Sequence, residues 1–311
     1  MERFDKKMMS VYSGKYNDLI KKEIEVWSDY SKNEHPVSSF AELKNTTPYQ
    51  TYRKGTIETE LEFIRNIGNN IDVLELGSAD GWLTNEILNL ENVGTVTSID
   101  VSLHDNLRQK YNNKTLALQG DLNKMDKINF DKKYDCIITH GTLHHLVDPK
   151  KTTEYCIDNL LKDGGLFLIN DTWILQSLQL KTNAFLYLFL NRLPHAVLDL
   201  NIIQIFKLLF FIIPKTIINK KFAESFAHSH ETSPFESISS ADDYRAVYER
   251  SDVEVIYFRN LASLAGFQNS WSSSPKIVKL LIQKLDDFLI NKKIITGDIH
   301  ICILKKRPAC L

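Results

Sequence analysis

A chain of 311 residues with 38 basic and 39 acidic side chains lacks the positive excess with which proteins wrap nucleic acid, so that class of function is set aside. At this length about 75% of the unfolded surface can be buried, and the chain is long for one α/β core, leaving room for additions. The N-terminus, Met1 to Lys7, has no apolar core of a secretory signal, and cysteines 136, 156, 302 and 310 have no metal-ligand spacing, so reduced structural cysteines in a cytoplasm are expected. Residues 14–32 put Tyr16, Leu19, Ile20, Ile24 and Trp27 on one face, which predicts a helix. A polar loop, 33–51, leads to a second predicted helix over 56–64.

The stretch Asp72–Trp82 follows. An apolar strand containing Glu75 turns through Gly77, Ser78, Ala79, Asp80 and Gly81 into a helix that starts near Leu83. Small residues there let a ligand lie against bare backbone beside a helix N-terminus. Ala at 79 and Trp at 82 break the G-x-G-x-x-G pattern of a hydride-transfer dinucleotide site. Ala79 is tolerable in such a turn if its φ is negative.

Further strands each deliver polar residues. Val93–Ile99 ends at Asp100, roughly 20 residues past the glycines, where an acid suits a ribose diol. Thr115–Gln119 runs into Gly120, Asp121 and Leu122, and Tyr134–Thr139 into His140-Gly141-Thr142-Leu143-His144-His145-Leu146. A helix is expected to end at Leu160-Leu161-Lys162-Asp163-Gly164-Gly165 and feed the strand Leu166–Asn170.

This ordered series, above all "THGTLHHL" and "LLKDGGLFLI", closely resembles the small-molecule branch of class I S-adenosylmethionine-dependent methyltransferases. The resemblance covers roughly 52–172, with a looser echo in 239–306. It implies a doubly wound α/β fold with a seven-stranded, mostly parallel sheet whose last strand is antiparallel. Four regions are then expected: a helical extension and cofactor cover (1–55), a cofactor-binding core (56–172), an apolar helical insert after the fifth strand (173–238) and the end of the core (239–311). The expected cofactor is S-adenosylmethionine, with S-adenosylhomocysteine as product. Its expected contacts are Glu75, Gly77, Ser78, Ala79, Gly81, Trp82, Asp100, Val101, Asp121, Leu122, Thr139 and His140. In the family the residue matching Asp121 accepts from the adenine amino group. Arg53 is read either as a fork for the methionine carboxylate or as a solvated side chain near a helix start.

The insert holds two apolar runs, 184–190 and 202–213, both too short for a membrane span. Between 181 and 221 lie Lys181, Arg192, Lys207, Lys215, Lys220 and Lys221 against the single acid Asp199, a local net charge of +5. A lid over the site, a homodimer element and a peripheral contact with an anionic membrane face all remain open. Beyond it, a helix from Ser240, a strand over 253–258, a helix over 276–291 and a final strand over 299–304 complete the pattern.

A sulfonium methyl is already activated, so a base is needed only where the acceptor must lose a proton. Histidine suits that task near neutral pH. His144 and His145 are the catalytic candidates, and adjacent helical residues do not share a face, so one of them is expected to look inward. His228, His230 and Glu231 follow the insert and are read as substrate contacts or as a helix cap. No metal site is expected. The leading function is methyl transfer to O or N of a small biosynthetic metabolite. A lipid or lipid-linked acceptor and a non-catalytic cofactor-binding scaffold are the alternatives.

Overall fold

The computed structural model describes residues 16, 18, 20–25, 48–102, 114–172, 185, 188, 201–219, 241–261, 276–295, 297 and 299–308, with backbone only at 48–54, 216, 241–243, 276, 278, 279 and 282. Helix α1 (Pro48–Arg65) precedes β1 (Ile71–Leu76), α2 (Trp82–Leu88), β2 (Val93–Asp100), β3 (Thr115–Gln119) and β4 (Tyr134–His140). Helix α3 (Pro149–Tyr155) widens into a π turn, Cys156–Leu160, and passes directly into β5 (Leu161–Thr172). In the insert, α4 (Ile202–Lys207), a π turn (Leu208–Ile212) and α5 (Ile213–Ile218) are continuous. Then come α6 (Ala241–Tyr248), β6 (Val253–Leu261), α7 (Lys276–Asn291) and β7 (Ile299–Lys306).

The strands form one seven-stranded sheet in the order β3-β2-β1-β4-β5-β7-β6. All neighbours are parallel except β7, which runs antiparallel between β5 and β6. Central strand β1 is buried at every position but Asp72 because helices cover both faces of a doubly wound sheet. Strand alternation sends successive residues to opposite cores. Val73, Ile138 and Leu168 join α1 and α2 on one side; Leu74, Ile137 and Phe167 join α3 and α6 on the other. Each such fully buried aliphatic contributes roughly 1.5–3 kcal/mol. The three described cysteines, Cys136, Cys156 and Cys302, are free and buried within these cores.

Two boundaries differ from the sequence expectation. Helix α1 begins at Pro48 rather than near Thr56. The helix expected to end on Gly164 and Gly165 stops at Leu160, and both glycines lie inside β5, where the pairing shifts register between Tyr134 and Cys136. At its other end β5 pairs with β7 as far as Thr172, one side chain beyond Asn170 on each face.

The chain winds outward from β1 through β2 to β3, then returns to place β4 on the other flank of β1. At such a reversal the loops leaving β1 and β4 diverge and open a crevice beyond the strands' carboxyl ends.

Candidate functional site

The floor of this crevice is the turn after β1. Gly77 has φ 76 and Gly81 has φ 82, left-handed conformations that glycine adopts without a Cβ penalty. Gly77 is required twice over, since a Cβ there would lie 2.1 Å from Thr142 Oγ1 and force the β1 and β4 tips apart. Ala79 also has positive φ, 46, contrary to the expectation of a negative one. Its N–H donates to Asp100 Oδ2 at 2.9 Å, which holds the strained residue in place.

Glu75 is enclosed in the core. Its side chain is only 2% exposed, and Oε2 accepts from the hydroxyls of Thr84 on α2 and Ser98 on β2. Glu75 thus ties the helix that follows the glycine turn to the sheet. Burial raises its pKa to about 7, against the pull of the two hydroxyls. Leu122 is likewise a core residue, and Ser78 and Thr139 are buried with hydroxyls that have no partner among the described residues.

Asp100 and Asp121 stand at the tips of β2 and β3. Asp100 accepts the backbone N–H of Ala79 on one oxygen and that of Ser102 on the other, at 2.9 Å each. Burial pushes its pKa up, while those backbone donors oppose the rise. A carboxylate has about four acceptor positions, so capacity for two hydroxyls remains. Asp121 Oδ1 caps the following 3-10 turn through the N–H of Asn123 at 3.0 Å. Its Oδ2 accepts from the Tyr16 hydroxyl at 2.6 Å, so an N-terminal residue already stands where a ligand donor would bind. Burial first, and then the Asp121 carboxylate, push the Tyr16 phenol above its ordinary pKa. Two carboxylates on neighbouring tips beside a backbone cradle fit a nucleoside with a diol and an amino group.

The tip of β4 carries three histidines, each set against a carboxylate from a different element. His140 Nδ1 lies 3.0 Å from Glu60 Oε2 of α1 and 3.0 Å from Asn170 Nδ2 of β5, and Trp82 meets its ring edge-on at 5.5 Å. Glu60 is fully buried, and its Oε1 has no partner among the described residues. His144 Nδ1 is 2.5 Å from Asp171 Oδ1. Asp171 is itself fixed by the backbone N–H groups of Leu143 at 2.6 Å and Thr172 at 2.7 Å. Burial opposes its charge, but His144, His300 and Thr172 N–H outweigh that and hold its pKa below the ordinary range. His145 Nδ1 is 3.5 Å from Glu23 Oε1 of the N-terminal helical residues. Burial, reinforced by His144, pushes the His145 pKa far down, so this ring is neutral near pH 7.

The two rings lie side by side in the 3-10 turn Leu143–His145, with centroids 4.0 Å apart. His144 is the most exposed of the three, 18% of its side chain against 7% for His140 and 10% for His145, and it makes the shortest contact with its carboxylate. Such a pair favours the tautomer with Nδ1–H toward Asp171 and the lone pair on Nε2, the arrangement of a general base. Among the described residues no three histidine, cysteine, aspartate or glutamate side chains group to hold a metal ion. The side chain of Arg53 and residues His228, His230 and Glu231 lie outside the described set.

Glu60, Asp171, Glu23 and Tyr16 escaped the sequence reading, yet each had a signal. Glu60 sits three residues after Ile57 and four before Ile64, on the apolar face of its helix. Glu23 follows Tyr16 by seven residues and shares its face. Asp171 is the last residue but one of its strand, close to the end that Asp100 occupies in β2.

A family model described as a methyltransferase domain matches residues 49–205, just over half of the chain. The protein 235L of Invertebrate iridescent virus 6, named as a methyltransferase, is 32% identical over 105 residues, 33% of this chain. The chain covers 38% of that relative's length. Among solved structures, the plantazolicin methyltransferase BpumL in complex with SAH is 13% identical, covering 96% of this chain and 100% of its own at a TM-score of 0.43. YcgJ from Bacillus subtilis is 14% identical, covering 82% and 99% at 0.46. With TM-scores below 0.5, neither structure bears on the chemistry of this chain.

Proposed function

The chain belongs to the methyltransferase-domain family, and we propose that it methylates an oxygen or nitrogen of a small-molecule acceptor with S-adenosylmethionine as cofactor and His144 as base. Bound there, the cofactor supplies a methyl group already activated on a sulfonium centre and leaves as S-adenosylhomocysteine. Asp100 would hold the ribose hydroxyls, and Asp121 would hold the adenine amino group through the oxygen that now accepts from Tyr16. The turn Gly77–Gly81 and the ring of Trp82 shape the space between them. Asp171 keeps His144 in the tautomer that takes a proton at Nε2 as the acceptor's O–H or N–H attacks. His145, neutral and paired with Glu23, packs against His144 and fixes its plane. Tyr16 and Glu23 cover the crevice and keep water from the reacting atoms, a service of proximity and exclusion that supplies roughly 7–11 kcal/mol in well-oriented reactions.

The observation that carries this reading is the His144–Asp171 pair on adjacent strand ends, a base with its orienting acid, in the loop whose Thr142 packs against Gly77 of the glycine turn. The test is transfer of isotopically labelled methyl from S-adenosylmethionine into the small-molecule fraction of a cell extract. Wild type should label a discrete product, and His144→Gln should lower the initial rate roughly 100-fold or more, the range for loss of a general base. Equal rates for the two proteins would remove His144 from the chemistry. Cofactor binding without any labelled product would favour the scaffold alternative.

A further inference from the structure

We propose that the outer face of the helical insert, 202–218, is a docking surface for an anionic membrane. This goes beyond the methyl-transfer reading and does not depend on it. The inner face of the insert is already satisfied. Leu188, Leu208 and Ile213 are buried in a small core of their own, with Phe185, Ile205 and Ile212 packed around them, separate from the two cores of the sheet. The opposite face is apolar and in water. Ile202, Ile203, Phe206, Leu209, Phe210, Phe211, Ile217 and Ile218 are each between 43 and 79% exposed. Residues 202, 206 and 210 recur at helical spacing, and 203 and 217 fall three or seven residues from members of that row, so they form one stripe. The Phe206 ring lies 4.6 Å from that of Phe210 and 6.1 Å from that of Phe211, forming an exposed aromatic cluster. Contiguous apolar patches of this kind mark interaction sites.

Charge selects the occupant. Lys207 and Lys215 are exposed on the same helical stretch. Lys181, Arg192, Lys220 and Lys221 flank it in sequence against Asp199 alone, giving the local net charge of +5. A second copy of this chain would set two such segments face to face, whereas anionic headgroups complement them. Lysine stems lie along apolar surface and lift their ammonium groups to the headgroup layer. The stretch lies on a bilayer rather than through it: at 1.5 Å per residue it is about 25 Å long, short of a hydrocarbon core. Among the described residues no helix is long and apolar enough to cross a membrane.

The experiment is flotation of the full chain with phosphatidylcholine vesicles, with and without phosphatidylglycerol, at low and high salt, alongside light-scattering mass measurement without lipid. Wild type should be monomeric, float with the anionic vesicles at low salt and bind less as salt rises. The double variant Phe206→Glu, Phe210→Glu should lose roughly ten-fold or more of that binding. Lys207→Glu, Lys215→Glu should weaken binding and flatten the salt dependence. Circular dichroism and S-adenosylhomocysteine affinity, unchanged in both variants, establish that they fold. Absence of wild type from anionic vesicles at low salt would overturn the proposal. So would a dimer that the phenylalanine variant dissolves, which would make the face a self-association surface.

Discussion

Replacing Glu75 with glutamine separates support of the glycine turn from contact with a ligand. The carboxylate is buried, and one of its oxygens, Oε2, accepts both hydroxyl bonds, so the glutamine carbonyl retains them. Its pKa stands at about 7 in the folded chain against 4.5 when unfolded, with burial the chief cause. The folded state therefore binds this proton more tightly. Stability from this group is fully present below pH 4.5, falls as pH rises toward 7, and stays lost above it. Linkage gives an advantage of Glu75→Gln over wild type of about 1 kcal/mol at pH 5 and about 3 kcal/mol at pH 8.5. His300, whose pKa burial pushes down to about 4, titrates in both proteins and cancels from the difference. Urea denaturation of the two proteins across that pH range measures it. A stability difference that does not change with pH would refute the reasoning. Because the side chain is almost wholly enclosed, the affinity for S-adenosylhomocysteine should stay within about three-fold of wild type, the RT ln 3 of about 0.6 kcal/mol left for indirect effects.

Ala79→Gly should stabilise the chain by about 0.5–1 kcal/mol, because a left-handed alanine costs roughly 1–2 kcal/mol and glycine returns part of the gain as unfolded-state entropy. Thermal unfolding of the two proteins checks this, and a lower midpoint in the glycine variant would contradict it. Asp171→Asn should lower methyl transfer by roughly 100-fold or more and move the His144 imidazole pKa downward as its anionic partner is lost. An imidazole titration followed by NMR separates that from simple unfolding, and an unshifted His144 would remove Asp171 from the role of orienting acid.

The sheet was legible because parallel strands buried on both faces announce themselves as apolar runs. All seven strands lie where the runs place them, and β7 takes the antiparallel position. The glycine turn was legible from its small residues, but not the sign of φ at Ala79, which depends on the Asp100 carboxylate reaching across from β2. The same limit holds for Glu75, whose hydroxyl partners Thr84 and Ser98 reach it only once α2 and β2 are packed beside β1. The partners of the histidines come from α1, β5 and the N-terminal helical residues. Such pairings are tertiary and carry no local spacing. Asp171 was missed for a smaller reason, since the apolar run stops before it and only the pairing with β7 carries β5 on to Thr172.

Calorimetric titration with S-adenosylhomocysteine tests most directly whether neighbouring strand tips hold a nucleoside. Wild type should bind at micromolar concentrations with one site per chain, and Asp100→Asn should weaken binding by roughly ten-fold or more, the loss of charge-assisted acceptors. Heat no greater than dilution at millimolar ligand, or an Asp100→Asn protein that binds as tightly as wild type, would contradict it.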